Sequence, residues 1–417
     1  MDVRQINQIM LTYEEAKVII LGHACIQELE KVDFRNSVGR ALAEDLVASE
    51  DLPPFDNSAV DGYAVKFNEL AKATKENPVV LKCQEYVFAG RLDTISLQEG
   101  VCVQVATGAP LPLGTDAVVM LEQVVRNGDQ VCFSHPTQIG NNLRHRGRDM
   151  SSGDSLLPIG TTIAPTHLAL LAAQGLVEVP LYSRLKINIL STGTELVAPN
   201  IKPGPGQIRE ANSFLLEALL QTEACEVTRL HRVVDDLEST IKVLNEALRA
   251  DALLISGGVS VGDSDFVKPA LKELGVKEIF WRVKIKPGKP LFFGQLGDTK
   301  VFGLPGNPAS TFVLFEELVR PYLRKCLGHY QLEVPTRSAK ITEDFDETSE
   351  RLQLLRAHWY HQNGNDWVRP VTQQGSFSIA SIAHANSLIH VPEGSQPLRF
   401  GQSVRVRPLA HRFALFG

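Results

Sequence analysis

The sequence predicts a multidomain α/β plus β protein, and three observations carry that prediction. The 417-residue chain is longer than one hydrophobic core usually serves. Two amphipathic stretches, residues 13–30 and 163–177, bracket a region of short Val- and Ile-rich runs broken by Gly, Pro and Asp. From about Leu185, strand-like and helix-like segments alternate in the βαβα order of a parallel sheet covered by helices on both faces.

Taken in order, the first helix is signalled by the capping-box spacing Thr12-x-x-Glu15, with Ala16, Ile19, Ile20, Ala24 and Leu29 near one face. From Pro53 to about Asp149, runs such as Val101–Val105 and Ala117–Met120 read as strands of a small β domain. In the second helix Pro165 suits an early turn. That helix is placed to pair with the first as one discontinuous helical domain around the β insertion. Strands at 185–190, 227–230, 252–255 and 301–304 then alternate with helices at 210–221, 237–249, 266–274 and 309–323. The tail from about Thr336 reads as a small all-β module, with Asn363-Gly364 as a hairpin turn and an alternating run at Ser403–Arg407.

Forty-two basic against forty-eight acidic residues give a net charge of −6, which supplies no global field for nucleic acid or an anionic membrane. Any anion site is therefore local. No apolar run approaches the roughly 18 residues of a membrane span, and the N-terminus lacks the charged, apolar, small-residue series of a signal peptide. Six scattered cysteines without a CxxC pair fit reduced thiols in the cytoplasm better than a disulfide frame or a zinc site.

Several loops carry residue types suited to chemistry. The run PPFDNSAVDGYA at 53–64 sets Asp56 and Asp61 in turn-forming sequence, readable as a built site or as a turn whose acids bond their own backbone. Ser191-Thr192-Gly193-Thr194-Glu195 follows the first strand of the alternating region; its hydroxyls and Gly amides suit an oxyanion, and Glu195 suits a cation or a proton. In the loop 257–265, Gly257 and Gly258 let backbone N–H groups approach a phosphate, beside Ser260 and acids suited to Mg²⁺, including Asp265. A Pro287-Gly288 turn aims Lys286 and Lys289 at one anion, and two ammonium groups suit a divalent oxyanion. The stiff turn through Pro305 and Pro308 to Ser310 opens a helix, where amide donors favour anions. Thr107, and the cluster Arg144 to Asp149 with three guanidinium groups, add a hydroxyl, positive charge and an acid in the β region. Ordinary turns, helix caps and solvated loops remain alternatives for each of these taken alone.

Taken together, PPFDNSAVDGYAV, ATGAPLP with DAVVMLEQ, RGRDM, ILSTGTELV, SGGVSVGDSDF, KIKPGKPLFFG and VFGLPGNPAS stand in the order found in the MoeA family of molybdopterin molybdenumtransferases. The chain resembles that family, the gephyrin E domain included, over nearly its whole length. The resemblance implies a discontinuous helical linker domain at 1–51 and 150–184, a β domain at 52–149, a molybdopterin-binding α/β domain at 185–332 and a C-terminal β-barrel at 333–417. It implies molybdenum cofactor biosynthesis: molybdate is inserted into adenylated molybdopterin, with Mg²⁺-dependent release of AMP. It implies a homodimer with a shared cleft, and transient contact with the molybdopterin adenylyltransferase and recipient molybdoenzymes.

By the same resemblance molybdate sits near Lys286, Lys289, Ser310, Arg356 and Ser376. Ser191, Thr192, Gly193, Gly257, Gly258, Ser260, Pro305 and Pro308 complete the substrate site. Asp265, Asp235 and Glu195 are the metal ligands, and Asp61, Thr107 and Asp149 match positions important for activity. The chain departs from the family pattern at His145, Arg148 and Ala357. Two other readings are an adenylyltransferase, which would consume ATP and form pyrophosphate, and a non-catalytic scaffold of the same fold.

Overall fold

The computed structural model describes residues 10–91, 93, 95–230, 236–258 and 266–409. The chain forms two compact units: Met1–Glu44, Ile159–Ala169 and Val177–Gly417 make one, and Asp45–Pro158 with Leu170–Leu176 the other.

The second unit is built on a six-stranded sheet in the order Ala117–Met120, Gly62–Val65, Val101–Val105, Val79–Val87, Gln130–Phe133, Val124–Asn127. Side chains alternate across it. Tyr63, Val65, Cys102 and Val119 enter one core, while Ala64, Val103, Val105 and Val118 enter another on the opposite face. Burial on both faces is why these strands read as continuous apolar runs. Gly62, read in the sequence as part of a turn, is instead the first residue of a central strand, paired with Val105 on one side and Met120 on the other.

In the first unit a six-stranded sheet runs Glu226–Arg229, Lys186–Ser191, Ala252–Ser256, Thr299–Leu304, Phe292–Leu296, Lys277–Trp281. The first four strands are parallel, and the last two join antiparallel. The sheet is therefore mixed rather than wholly parallel. Only Gly297 and Asp298 separate Leu296 from its partner Thr299, too few residues for a parallel crossover. Ile187, Ile189, Leu254 and Phe302 pack with Leu216 and Leu220 on one face; Leu253, Ile255 and Val301 pack with Leu244, Val267 and Leu271 on the other.

The helix Tyr13–Gly22 opens with the expected capping box, in which Thr12 Oγ1 accepts from Glu15 N–H and the Glu15 carboxylate accepts from Thr12 N–H at 2.9 Å. It buries Tyr13, Ala16 and Ile20 in the α/β core. It stops eight residues short of the expected end at 30, because Leu29–Asp33 is a strand paired antiparallel with Glu178–Tyr182. The second expected helix spans Pro165–Ala173. The expected helix at 309–323 is Pro308–Leu314, a π-helical turn Phe315–Val319, and Arg320–Cys326.

The C-terminal strands Arg337–Ile341, Leu352–Gln362, Asn365–Pro370, Ser387–Val391 and Ser403–Pro408 close on themselves, each pairing with two others in a five-stranded barrel. Asn363 and Gly364 both take positive φ in its hairpin, which pairs Gln362 with Asn365. Among the described residues no helix is long and apolar enough to cross a membrane.

Candidate active site

Strands Lys186–Ser191, Ala252–Ser256 and Thr299–Leu304 end in register, and the loops beyond their carboxyl ends line a pocket of about 700 Å³. Ser191, Thr192, Glu195, Gly257, Gly258 and Asn212 are on its wall. Backbone bonds stitch the loops together: Thr192 N–H donates to Ser256 O at 3.0 Å and Gly257 N–H to Leu304 O at 3.0 Å. The Gly257 amide is thus engaged within the protein, not held free for an anion. Gly193 and Thr192 belong to the same loop, where the Glu195 carboxylate folds back over Gly193.

Asn212 fixes the pocket floor, its Nδ2 donating to Ser256 Oγ and to Gly306 O, each at 2.8 Å. Its Oδ1 and the Thr192 hydroxyl are buried without a partner among the described residues. An unmet buried polar atom costs about 1–3 kcal/mol, so these two are poised for a polar ligand. Glu210 is already engaged, accepting from Ser191 Oγ at 3.1 Å, Ser213 N–H at 2.7 Å and Ser213 Oγ at 2.6 Å. Among the described residues lining this pocket, Glu195 is the exposed carboxylate left. Mg²⁺ is commonly held by one or two carboxylates plus substrate phosphates, and Glu195 fits one such position. No cluster of three metal-binding side chains occurs among the described residues; Asp235, Ser260 and Asp265 lie outside them.

A second cavity of about 460 Å³ shares Pro290, Pro305 and Asn307 with the first, so the two are parts of one groove. Lys286, Lys289 and Ser310 enter it from the α/β fold, and Arg356 and Ser376 from the barrel; Pro308 lines the strand-end portion. The fold brings them together through short bridges. Lys286 pairs in register with Gln353 on the barrel strand that carries Arg356. Ala309 N–H donates to Ser376 O and Asn307 Nδ2 to Ser376 Oγ, both at 3.0 Å.

Arg356 decides the character of this cavity. It is 1% exposed, and among the described residues its guanidinium donates only to neutral oxygens, Ser381 Oγ and Gly375 O, both at 3.2 Å. Burial without a carboxylate partner lowers its pKa to about 10, still cationic at neutral pH. Lys286 is paired with Glu347, whose other oxygen accepts from Gln353 Nε2 at 3.2 Å. With Lys289 and Arg351 also on the wall, four cations face one carboxylate among the described residues, a field for a small multivalent anion.

In the β unit, Asp61 Oδ1 accepts from Thr107 N–H at 2.9 Å, and both residues are exposed. Asp56 accepts from Arg146 N–H at 2.7 Å and faces His145 Nδ1 at 3.3 Å, contacts that hold its carboxyl below the usual range. Asp149 is exposed, its N–H donating to Leu52 O at 2.9 Å. Arg148 bonds Leu143 O at 3.1 Å, and Ala357 is fully buried in the barrel.

Sequence reasoning missed Asn212, Glu347, Arg351 and Gln353. Glu347 lies in an acid-rich stretch without a motif, and the structure pairs it with Lys286.

Family models match the chain in three consecutive stretches: the MoeA N-terminal region (domain I and II) at residues 11–175, a probable molybdopterin binding domain at 188–325, and the MoeA C-terminal region (domain IV) at 338–409. Among curated proteins, a molybdopterin molybdenumtransferase of Haemophilus influenzae is 35% identical over 96% of this chain and 99% of its own length. One from Bacillus subtilis is 34% identical over 91% and 89%. The crystal structure of the molybdopterin biosynthesis MoeA protein from Pyrococcus horikoshii superposes with a TM-score of 0.81 at 31% identity, covering 96% of this chain and all of that one. Near-complete coverage at this identity, on a matching multidomain fold, shows that the chain belongs to the MoeA family of molybdopterin molybdenumtransferases.

Proposed function

We propose that this protein inserts molybdate into adenylated molybdopterin, releasing AMP and the molybdenum cofactor. The observation that carries the reading is Arg356, a buried guanidinium with no carboxylate partner, opening on a cavity shared with Lys286, Lys289, Ser310 and Ser376. Molybdate is a tetrahedral dianion. Bound there, it displaces Glu347 from Lys286 and gives Arg356 the anionic partner it lacks. Adenylated molybdopterin lies along the adjoining pocket, where Thr192 Oγ1 and Asn212 Oδ1 meet its polar groups and Pro305 marks the junction. In this reading the groove holds the dithiolene next to the oxyanion, so its two thiols pass their protons to one molybdate oxygen, which leaves as water as the sulfurs bind molybdenum.

Cleavage of the phosphoanhydride adds water to phosphorus and frees AMP. Mg²⁺, when bound, neutralises the phosphate oxygens, with Glu195, Asp235 and Asp265 as its protein ligands. In the same proposal Asp61, Thr107 and Asp149 complete the cleft from the β domain of a second subunit in a homodimer. Six free cysteines in the described residues suit a cytoplasmic protein that meets the molybdopterin adenylyltransferase and recipient molybdoenzymes transiently.

Purified protein incubated with adenylated molybdopterin, Mg²⁺ and molybdate is expected to release one AMP per molybdenum inserted. AMP release that ignores molybdate would sink the proposal. ATP with molybdopterin is expected to give no pyrophosphate.

A further inference from the structure

We infer that Phe377 is a stacking platform for a planar nitrogen heterocycle of the substrate, set by the barrel over the strand-end pocket; the inference rests on the proposed function and deepens it. Phe377 is 70% exposed, yet it lines the pocket with Thr192, Glu195 and Asn212. Ile379, half exposed, stands beside it on the same rim. Together they give the pocket rim an apolar face, and covering it with a ligand ring is favourable.

The ring is held in place. Its turn closes with Ser378 N–H donating to Gly375 O at 3.1 Å. On one side Ser376 is tied to Ala309 and Asn307; on the other Ser378 Oγ accepts from Ser381 N–H at 3.2 Å and starts the helix Ile379–His384. The phenyl ring lies over Gly375, where a Cβ would come within 2.6 Å of it. Such fixing lowers the entropy lost when a ring stacks on it.

A second observation points to the ligand's chemistry. Thr192 and Asn212, whose Oγ1 and Oδ1 are buried without a partner among the described residues, line the same pocket. A ring with polar edges satisfies them while its face covers Phe377, and a purely apolar ligand leaves them unmet. The pocket is large enough for a bicyclic ring system, at about 700 Å³. Adenylated molybdopterin carries two such groups, the pterin and the adenine, which share this chemistry.

The test is calorimetric titration of wild type, Phe377→Ala and Phe377→Trp with AMP and, separately, with 6-hydroxymethylpterin, alongside a molybdate titration and a melting curve. Phe377→Ala is expected to weaken one of the two rings about tenfold, and Phe377→Trp to retain it. Weakening of AMP assigns adenine to Phe377, and weakening of the pterin assigns that ring. Molybdate affinity and Tm should not move, because the residue is exposed and lies outside the oxyanion cavity. The inference is overturned if wild type binds neither ring, or if Phe377→Ala binds both as tightly as wild type. Molybdate-dependent AMP release by wild type is read in the same preparation, so failure of the proposed reaction shows separately from failure of the stacking assignment.

Discussion

Arg356, proposed above to bind the oxyanion, is built unlike an arginine that serves the fold alone. A buried guanidinium with only neutral acceptors pays its desolvation cost without an ion pair, so removing the charge relieves the fold while it harms anion binding. Arg356→Gln should therefore leave Tm unchanged or raise it, and should weaken molybdate at least tenfold, the effect of losing about 1.5–3 kcal/mol of charged hydrogen bonding. Melting curves and molybdate titration together check this; a large fall in Tm with unchanged molybdate affinity would make Arg356 structural. Gly62 is the contrary case. A Cβ there would meet Val119 O at 2.3 Å and Val118 Cγ1 at 2.7 Å, so Gly62→Ala is expected to cost about 1–3 kcal/mol and lower Tm. Its neighbour Asp61 was readable in the sequence as a site candidate or as a turn acid, and it was the family resemblance that singled it out. The reason for the glycine was not readable, since close packing between central strands leaves no mark beyond the residue itself.

At the scale of elements, signals held where local chemistry decides the outcome. The Thr12 capping box and the Asn363-Gly364 hairpin are both formed as read. They failed where distant partners decide. Residues 24–30 continue an apolar helical pattern, yet the strand at Leu29–Asp33 wins because Glu178–Tyr182 offers it a full antiparallel ladder. The π-helical turn at Phe315–Val319 was equally hidden, its Glu317 buried against groups far along the chain. A short element next to the site offers a direct measurement. The six-residue helix Ile379–His384 depends on Ser378 as its N-cap, so Ser378→Ala should destabilise the protein by about 1 kcal/mol. It should also loosen the turn that presents Phe377, which AMP and pterin titration would register as weaker ring binding. A Tm indistinguishable from wild type would show that the cap contributes nothing.

At the scale of the larger unit, barrel and α/β fold are joined by an ionic core rather than by apolar packing alone. Glu317, fully buried on the π-helical turn, accepts from Tyr13 Oη at 2.8 Å on the N-terminal helix and from Arg407 Nη1 at 2.9 Å on a barrel strand. His390 Nε2 lies 3.1 Å from its other oxygen, an ion-pair distance without hydrogen-bond alignment. Arg407 continues to Glu333 at 2.8 Å, and Glu333 to Lys17. His390 stands opposite Leu354, two residues before Arg356, so this core also sets the barrel half of the cavity that Arg356 lines. Glu317→Ala should cost about 3 kcal/mol, because it removes one of Arg407's two carboxylate partners and leaves the buried Tyr13 hydroxyl without its acceptor, and it should raise the molybdate KM. Burial alone would raise the Glu317 pKa, but His390 and Arg407 outweigh it and hold it down to about 2, from an ordinary 4.5. A depressed carboxylate stabilises the fold fully above its unfolded pKa and loses that contribution as pH falls toward the folded one. Wild type should thus lose Tm steeply between about pH 4.5 and pH 2, whereas Glu317→Gln, less stable at neutral pH, should change less across that interval. Parallel acid melting profiles for the two proteins would remove Glu317 as the acid-sensitive joint and leave the barrel's position to its apolar contacts.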